Sequence, residues 1–159
     1  MGAQQSTARQ PPSSRPKQQL QPFPTYVPCP AVVQLNDRAL TAPTLDESIA
    51  LFREALRECL AAHNDAHPTL QHNLACKLYE RYGPAAEVEA KALWVAAGKR
   101  SHPFALMNLG RLLEQKGSVL ALAFYQHSAA LGFQPAVDYV REAGLSLVSG
   151  DLGTLWWDG

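Results

Sequence analysis

The chain has 159 residues, 47% of them hydrophobic, with 14 basic and 14 acidic side chains and a formal net charge of zero. That is enough apolar material for the core of one domain, while the balanced charge and the lack of a dense Lys/Arg cluster argue against nucleic-acid binding. Three cysteines, Cys29, Cys59 and Cys76, form no C-x-x-C pair, which points to a reducing compartment rather than a disulfide framework.

The amino-terminal part differs in composition from the rest. Residues 1–43 hold eight of the twelve prolines, and residues 1–34 hold seven glutamines and no acidic residue. Such a stretch buries too little apolar surface to offset its ordering entropy, so residues 1–43 read as a disordered tail with polyproline-like pieces at Pro22-Phe23-Pro24 and Pro28-Cys29-Pro30. Its first residues, M-G-A-Q-Q-S, fit the M-G-x-x-x-[ST] pattern, which makes Gly2 a candidate myristoylation site. A single myristoyl chain binds membranes only marginally. The available second signals are Arg9, Arg15 and Lys17, which give the first 36 residues a charge of +3, and Cys29 as a second candidate for lipidation. Reversible attachment to a cytoplasmic membrane face is the expected state. The acid-free, Arg- and Ser-bearing start also admits a mitochondrial targeting reading, although its prolines and glutamines interrupt any amphipathic helix. No run approaches the roughly 18 apolar residues of a membrane span.

From Thr44 the pattern turns helical. Thr44-Leu45-Asp46-Glu47 has the form of a capping box, and Leu45, Ile49, Phe52, Leu56 and Leu60 recur at three- and four-residue intervals, which predicts a helix to about residue 63. Pro68, Pro84, Pro103 and Pro135 each precede an apolar helical pattern, where proline's fixed φ and missing amide hydrogen do no harm. Five further helices are predicted, over about 68–82, 85–98, 103–116, 119–131 and 135–143, with Gly83, Gly117, Gly132 and Gly144 at helix ends. No segment alternates with period two. The fold class is therefore all-α: a tail, a helical domain over 44–143, and a segment 144–159 whose Trp156 and Trp157 either cap the last helices or dock on a partner.

An internal repeat organises these helices. His67-Pro68 recurs as His102-Pro103, and at the same offset of 35 Asn73-Leu74-Ala75 recurs as Asn108-Leu109-Gly110, with Leu78 matching Leu113. Two helices per period of this length mark a short α-α superhelical repeat domain, here of about six helices. The second unit, with Ala105, Asn108-Leu109-Gly110, Gly117, Ala121, Phe124-Tyr125, Ser128-Ala129 and Gly132, resembles the Sel1-like repeats, relatives of the tetratricopeptide repeats. Unit one departs from that pattern: Ala75 replaces the glycine, Ala92 and Leu93 stand where the aromatic pair should be, and its second helix is displaced by about three residues. The helix over 45–63 resembles the second helix of a tetratricopeptide pair, and 135–143 a lone first helix. The resemblance implies a protein-binding scaffold.

Chemistry-bearing patterns point the same way. His63, His67 and His72 lie close in sequence but lack the spacing of a metal site, and His67 and His102 precede prolines at equivalent positions, which reads as architecture. Neither a nucleophile motif nor a phosphate-cradling glycine loop occurs. The expectation is a non-enzymatic adaptor with no metal, cofactor, nucleic acid or small-molecule substrate, whose partner is a protein or peptide. Its groove is predicted from two stripes, Asn73, Lys77 and Arg81 on one first helix and Asn108, Arg111 and Gln115 on the next, each residue having the alternative of packing internally or forming an ordinary solvated face. The alternative function is an organelle assembly or maintenance factor, located in the mitochondrion, that binds a client protein.

Overall fold

A computed structural model describes residues 18–19, 21–25, 27–144 and 154–155, the first and last pairs by their backbone. Among the described residues there are seven α-helices: α1 Pro30–Leu40, α2 Leu45–His63, α3 Pro68–Tyr82, α4 Glu87–Lys99, α5 Pro103–Gln115, α6 Ala121–Ala130 and α7 Gln134–Glu142. A two-residue antiparallel pairing, β1 Gln18–Gln19 with β2 Thr154–Leu155, sets Gln18 opposite Leu155. No helix among the described residues is long and apolar enough to cross a membrane.

Start signals operate as the sequence predicts. Thr44 Oγ1 accepts from the Glu47 amide at 3.2 Å, and prolines open α3 and α5. Both of these helices are capped by the histidine before the proline: His67 Nδ1 accepts from the Thr69 amide and His102 Nδ1 from the Ala105 amide, each at 3.3 Å. An amide hydrogen can be accepted only by an unprotonated ring nitrogen, so both caps require neutral imidazole. The repeated His-Pro pair is thus one device used twice. Pro84 behaves differently from expectation, since it sits in a 3-10 turn, Gly83–Ala86, and α4 begins only at Glu87.

Two further differences matter. Helix α1 lies inside the segment read as disordered, because Pro30 opens an amphipathic turn that buries Val32, Leu35 and Ala39. In α2 the buried stripe is Ser48, Ile49, Leu51, Phe52, Ala55 and Cys59, whereas Leu60 is 49% exposed. Successive four-residue steps advance about 40° around a helix of 3.6 residues per turn. The run from Leu45 to Leu60 therefore drifts off the core.

The helices pack as hairpins, α1 with α2, α3 with α4 and α5 with α6, and α7 closes the end against α6. Helix α1 thereby supplies the first helix that α2 lacks in the sequence reading. One cluster joins α1, α2 and the Leu70, Leu74 and Leu78 side of α3. A second joins Ala75 of α3 to α4, α5, α6 and α7. Because α3 contributes to both, no hairpin closes a core alone, which is the packing condition of a helical repeat. Buried hydroxyls pin two of the hairpins: Ser48 donates to the Ala39 carbonyl at 2.7 Å and Ser128 to the Pro103 carbonyl at 2.8 Å.

The α5–α6 contact explains the Leu-Gly pair. A Cβ at Gly110 would lie 2.6 Å from Tyr125 Cε1 and 2.7 Å from Cδ1, and Tyr125 is among the largest fully buried side chains.

Candidate functional site

Between α3, α4 and α5 lies an open cleft of about 290 Å³. Tyr79 and Trp94 form part of its wall, with ring centroids 5.7 Å apart, and Leu112 adds apolar surface. Asn108, Arg111 and Gln115 line it from successive turns of α5, facing Cys76 and Glu80 of α3. The Trp94 indole N–H is buried beside the Cys76 thiol. An aromatic, partly apolar cleft with a few polar groups at its edges suits a peptide segment or a helix face.

The predicted groove residues divide. On α5 all three, Asn108, Arg111 and Gln115, reach the cleft. On α3 none of the three lines it. Asn73 donates from Nδ2 to Asn36 Oδ1 of α1 at 3.3 Å, so it acts as a strut between first helices. Lys77 pairs with Glu80 at 2.9 Å. Arg81 turns away to the start of α2, where Nε and Nη2 donate to Asp46 at 3.0 and 3.3 Å. The Arg81 hydrogen bond holds the Asp46 carboxyl below its usual range, and Tyr82 donates to the same carboxylate.

Helix pitch accounts for the division. Steps of four and four from Asn73 to Arg81 carry the side chain about 80° around the axis, whereas three and four from Asn108 to Gln115 leave it within about 20°. The repeat points to two of the α3 lining residues, since subtracting 35 from Asn108, Arg111 and Gln115 gives Asn73, Cys76 and Glu80, of which Cys76 and Glu80 line the cleft. Trp94 and Tyr79 had no such signal, because their place in the cleft depends on how α4 lies across α3.

Cys76 belongs to a neutral polar pair in the cleft wall. Cys76 Sγ lies 3.6 Å from His72 Nε2 and accepts from Asn108 Nδ2 at 3.4 Å. Burial pushes the Cys76 thiol up and holds His72 at about 4. The pair therefore stays as thiol and imidazole, without the thiolate that nucleophilic chemistry uses.

No family model, curated protein or solved structure matches this chain.

Of the other sequence-predicted sites, Cys29 stands at the N-cap position of α1 as a half-buried free thiol with extended backbone. Gly2, Trp156 and Trp157 lie outside the described residues. Among the described residues no group of three His, Cys, Asp or Glu side chains is placed to hold a metal ion.

Proposed function

We propose that the protein is a non-enzymatic adaptor of Sel1-like repeat type, which grips a peptide or partner helix in the cleft between α3 and α5 and is tethered reversibly to a cytoplasmic membrane face through a myristoyl group on Gly2. The observation that carries the binding reading is the cleft itself, where Asn108, Arg111 and Gln115 border a wall of Tyr79 and Trp94. Arg111 and Gln115 are exposed, so they are available to a ligand and replaceable without disturbing the core. The tether is supported by the M-G-A-Q-Q-S start and the basic residues that follow it.

Proximity labelling in cells tests both parts. An Arg111→Glu, Gln115→Ala variant keeps the wild-type melting temperature and loses specific neighbours, whereas Gly2→Ala loses membrane neighbours and the membrane-bound fraction. Unchanged neighbour sets in both variants would refute the proposal. Intact mass separates the alternative, since a myristoyl adduct supports the tether and a truncated amino terminus supports an imported organelle factor.

A further inference from the structure

Residues 21–25 and 27–29 lie along the amino ends of the first helices in reverse order, from α5 past α3 to α1. Gln21 is held at both backbone polar groups: its amide donates to the Lys99 carbonyl and its carbonyl accepts from Ser101 Oγ, each at 2.7 Å. Phe23 then sets its ring against the two capping histidines, edge-on to His67 at 5.4 Å between centroids and tilted over His102 at 5.9 Å. His102 in turn stacks on His72 at 4.7 Å. Pro28 reaches a small apolar pocket with Val32, His67 and Leu70 before Pro30 opens α1.

Three features give this contact the character of a ligand in its site. Residues 21–25 have no regular secondary structure, and the two backbone bonds at Gln21 read no side chain, so another extended segment can make them. Ser101 holds a left-handed φ of 58°, a conformation that serine adopts at a cost; its hydroxyl is the group that holds the Gln21 carbonyl. The aromatic surface also continues past Phe23, because Phe104 packs on His102 and on Phe133 while remaining 49% exposed. Phe23 itself is 39% exposed and thus only partly embedded.

We propose that the amino ends of α3 and α5 form a second binding site, distinct from the cleft, for an extended peptide with a proline-flanked aromatic residue on a partner protein. The chain's own Gln21–Pro24 occupies this site in cis and must be displaced. A tethered occupant acts at an effective concentration that reaches the millimolar range, so the wild-type site binds weakly in trans. Weakening the tethered occupant exposes it.

The test uses full-length, isotope-labelled protein and a synthetic peptide of residues 18–25, followed by amide chemical shifts. In Phe23→Ala protein the peptide produces saturable shifts at Thr69, Ser101 and Ala105, with at least fivefold higher affinity than for wild type. The same peptide with its phenylalanine replaced by alanine binds at least fivefold more weakly. Adding Ser101→Gly relieves the left-handed strain yet removes the hydroxyl, so the melting temperature holds or rises while peptide affinity falls about fivefold, the value of one hydrogen bond. Arg111→Glu leaves this binding unchanged, which separates the site from the cleft. Equal peptide binding by wild type and Phe23→Ala, no binding by either, or indifference to Ser101→Gly overturns the proposal. Wild-type dimerisation that Phe23→Ala abolishes would make a second copy the occupant and overturn the partner-supplied form.

Discussion

Gly110→Ala tests the packing of the second repeat most directly. The new methyl group would sit 2.6 Å from Tyr125 Cε1, about 0.8 Å inside ordinary van der Waals contact. Tyr125 has little room to retreat. It is 1% exposed, its hydroxyl donates to Glu114 Oε2 at 2.7 Å, and its ring packs on Tyr139 with centroids 4.2 Å apart. Overpacking of a well-filled core costs about 1–3 kcal/mol, and a ring held on several sides places this site near 3. Replacing glycine by alanine inside a helix returns about 1 kcal/mol. The net loss is about 2 kcal/mol, or roughly 8 °C in melting temperature for a helical domain of this size, read by circular dichroism at 222 nm. A double-mutant cycle with Tyr125→Ala isolates the cause: the methyl group adds no penalty once the ring is gone, so the two changes couple by about 2–3 kcal/mol. A Gly110→Ala protein that melts at or above the wild-type temperature would refute the close-approach argument.

Acidification should destabilise the fold before its carboxylates protonate. Burial holds His72 at about 4 and His102 at about 3, and it lowers His67, near which Asp65 opposes while Arg100 and His63 reinforce the shift. These groups contribute fully above the unfolded value of about 6.5. Below it the unfolded chain takes up protons that the folded one refuses, and stability falls until about pH 4 for His72 and about pH 3 for His102. At about 1.4 kcal/mol per pH unit, His72 and His102 each cost on the order of 2 kcal/mol by pH 5; urea midpoints that do not move between pH 7 and pH 5 would contradict this. Ser128→Ala removes the fully buried hydroxyl on the Pro103 carbonyl and should cost about 1–2 kcal/mol in urea unfolding, whereas Ser118→Ala, at a half-buried turn position, should cost less. Arg81→Ala breaks the exposed pair with Asp46 and the guanidinium's contact with the Tyr82 ring. It should leave the melting temperature within about 2 °C of wild type and the amide shifts of Asn108 and Gln115 unmoved.

Much of the fold was legible wherever a signal is local. The threonine cap of α2, the prolines that open α3 and α5, and the positive φ of Gly83, Gly117, Gly132 and Gly144 follow from short-range sterics and hydrogen bonding. Helix α1 was legible too, since Pro30, Val32, Leu35 and Ala39 obey the same rule as the later proline-led helices. It was hidden because composition averaged over 43 residues outweighs eleven that pack well. The site was half legible. The α5 stripe stayed on one face, and the α3 stripe wound off it by helix pitch, leaving Arg81 on Asp46 and Cys76 and Glu80 in the cleft.

By itself the sequence determined an all-α chain, the starts of α2, α3 and α5, the repeat of 35 and the residues of the α5 face, because each rests on interactions within a few residues or on their recurrence. Tertiary structure alone decided that α1 completes the first hairpin, that Trp94 and Tyr79 wall the cleft, and that Phe23 lies against two capping histidines from distant helices. Each of these joins residues far apart in the chain, and their meeting depends on how helix axes cross once the shared core of α3 is filled on both sides.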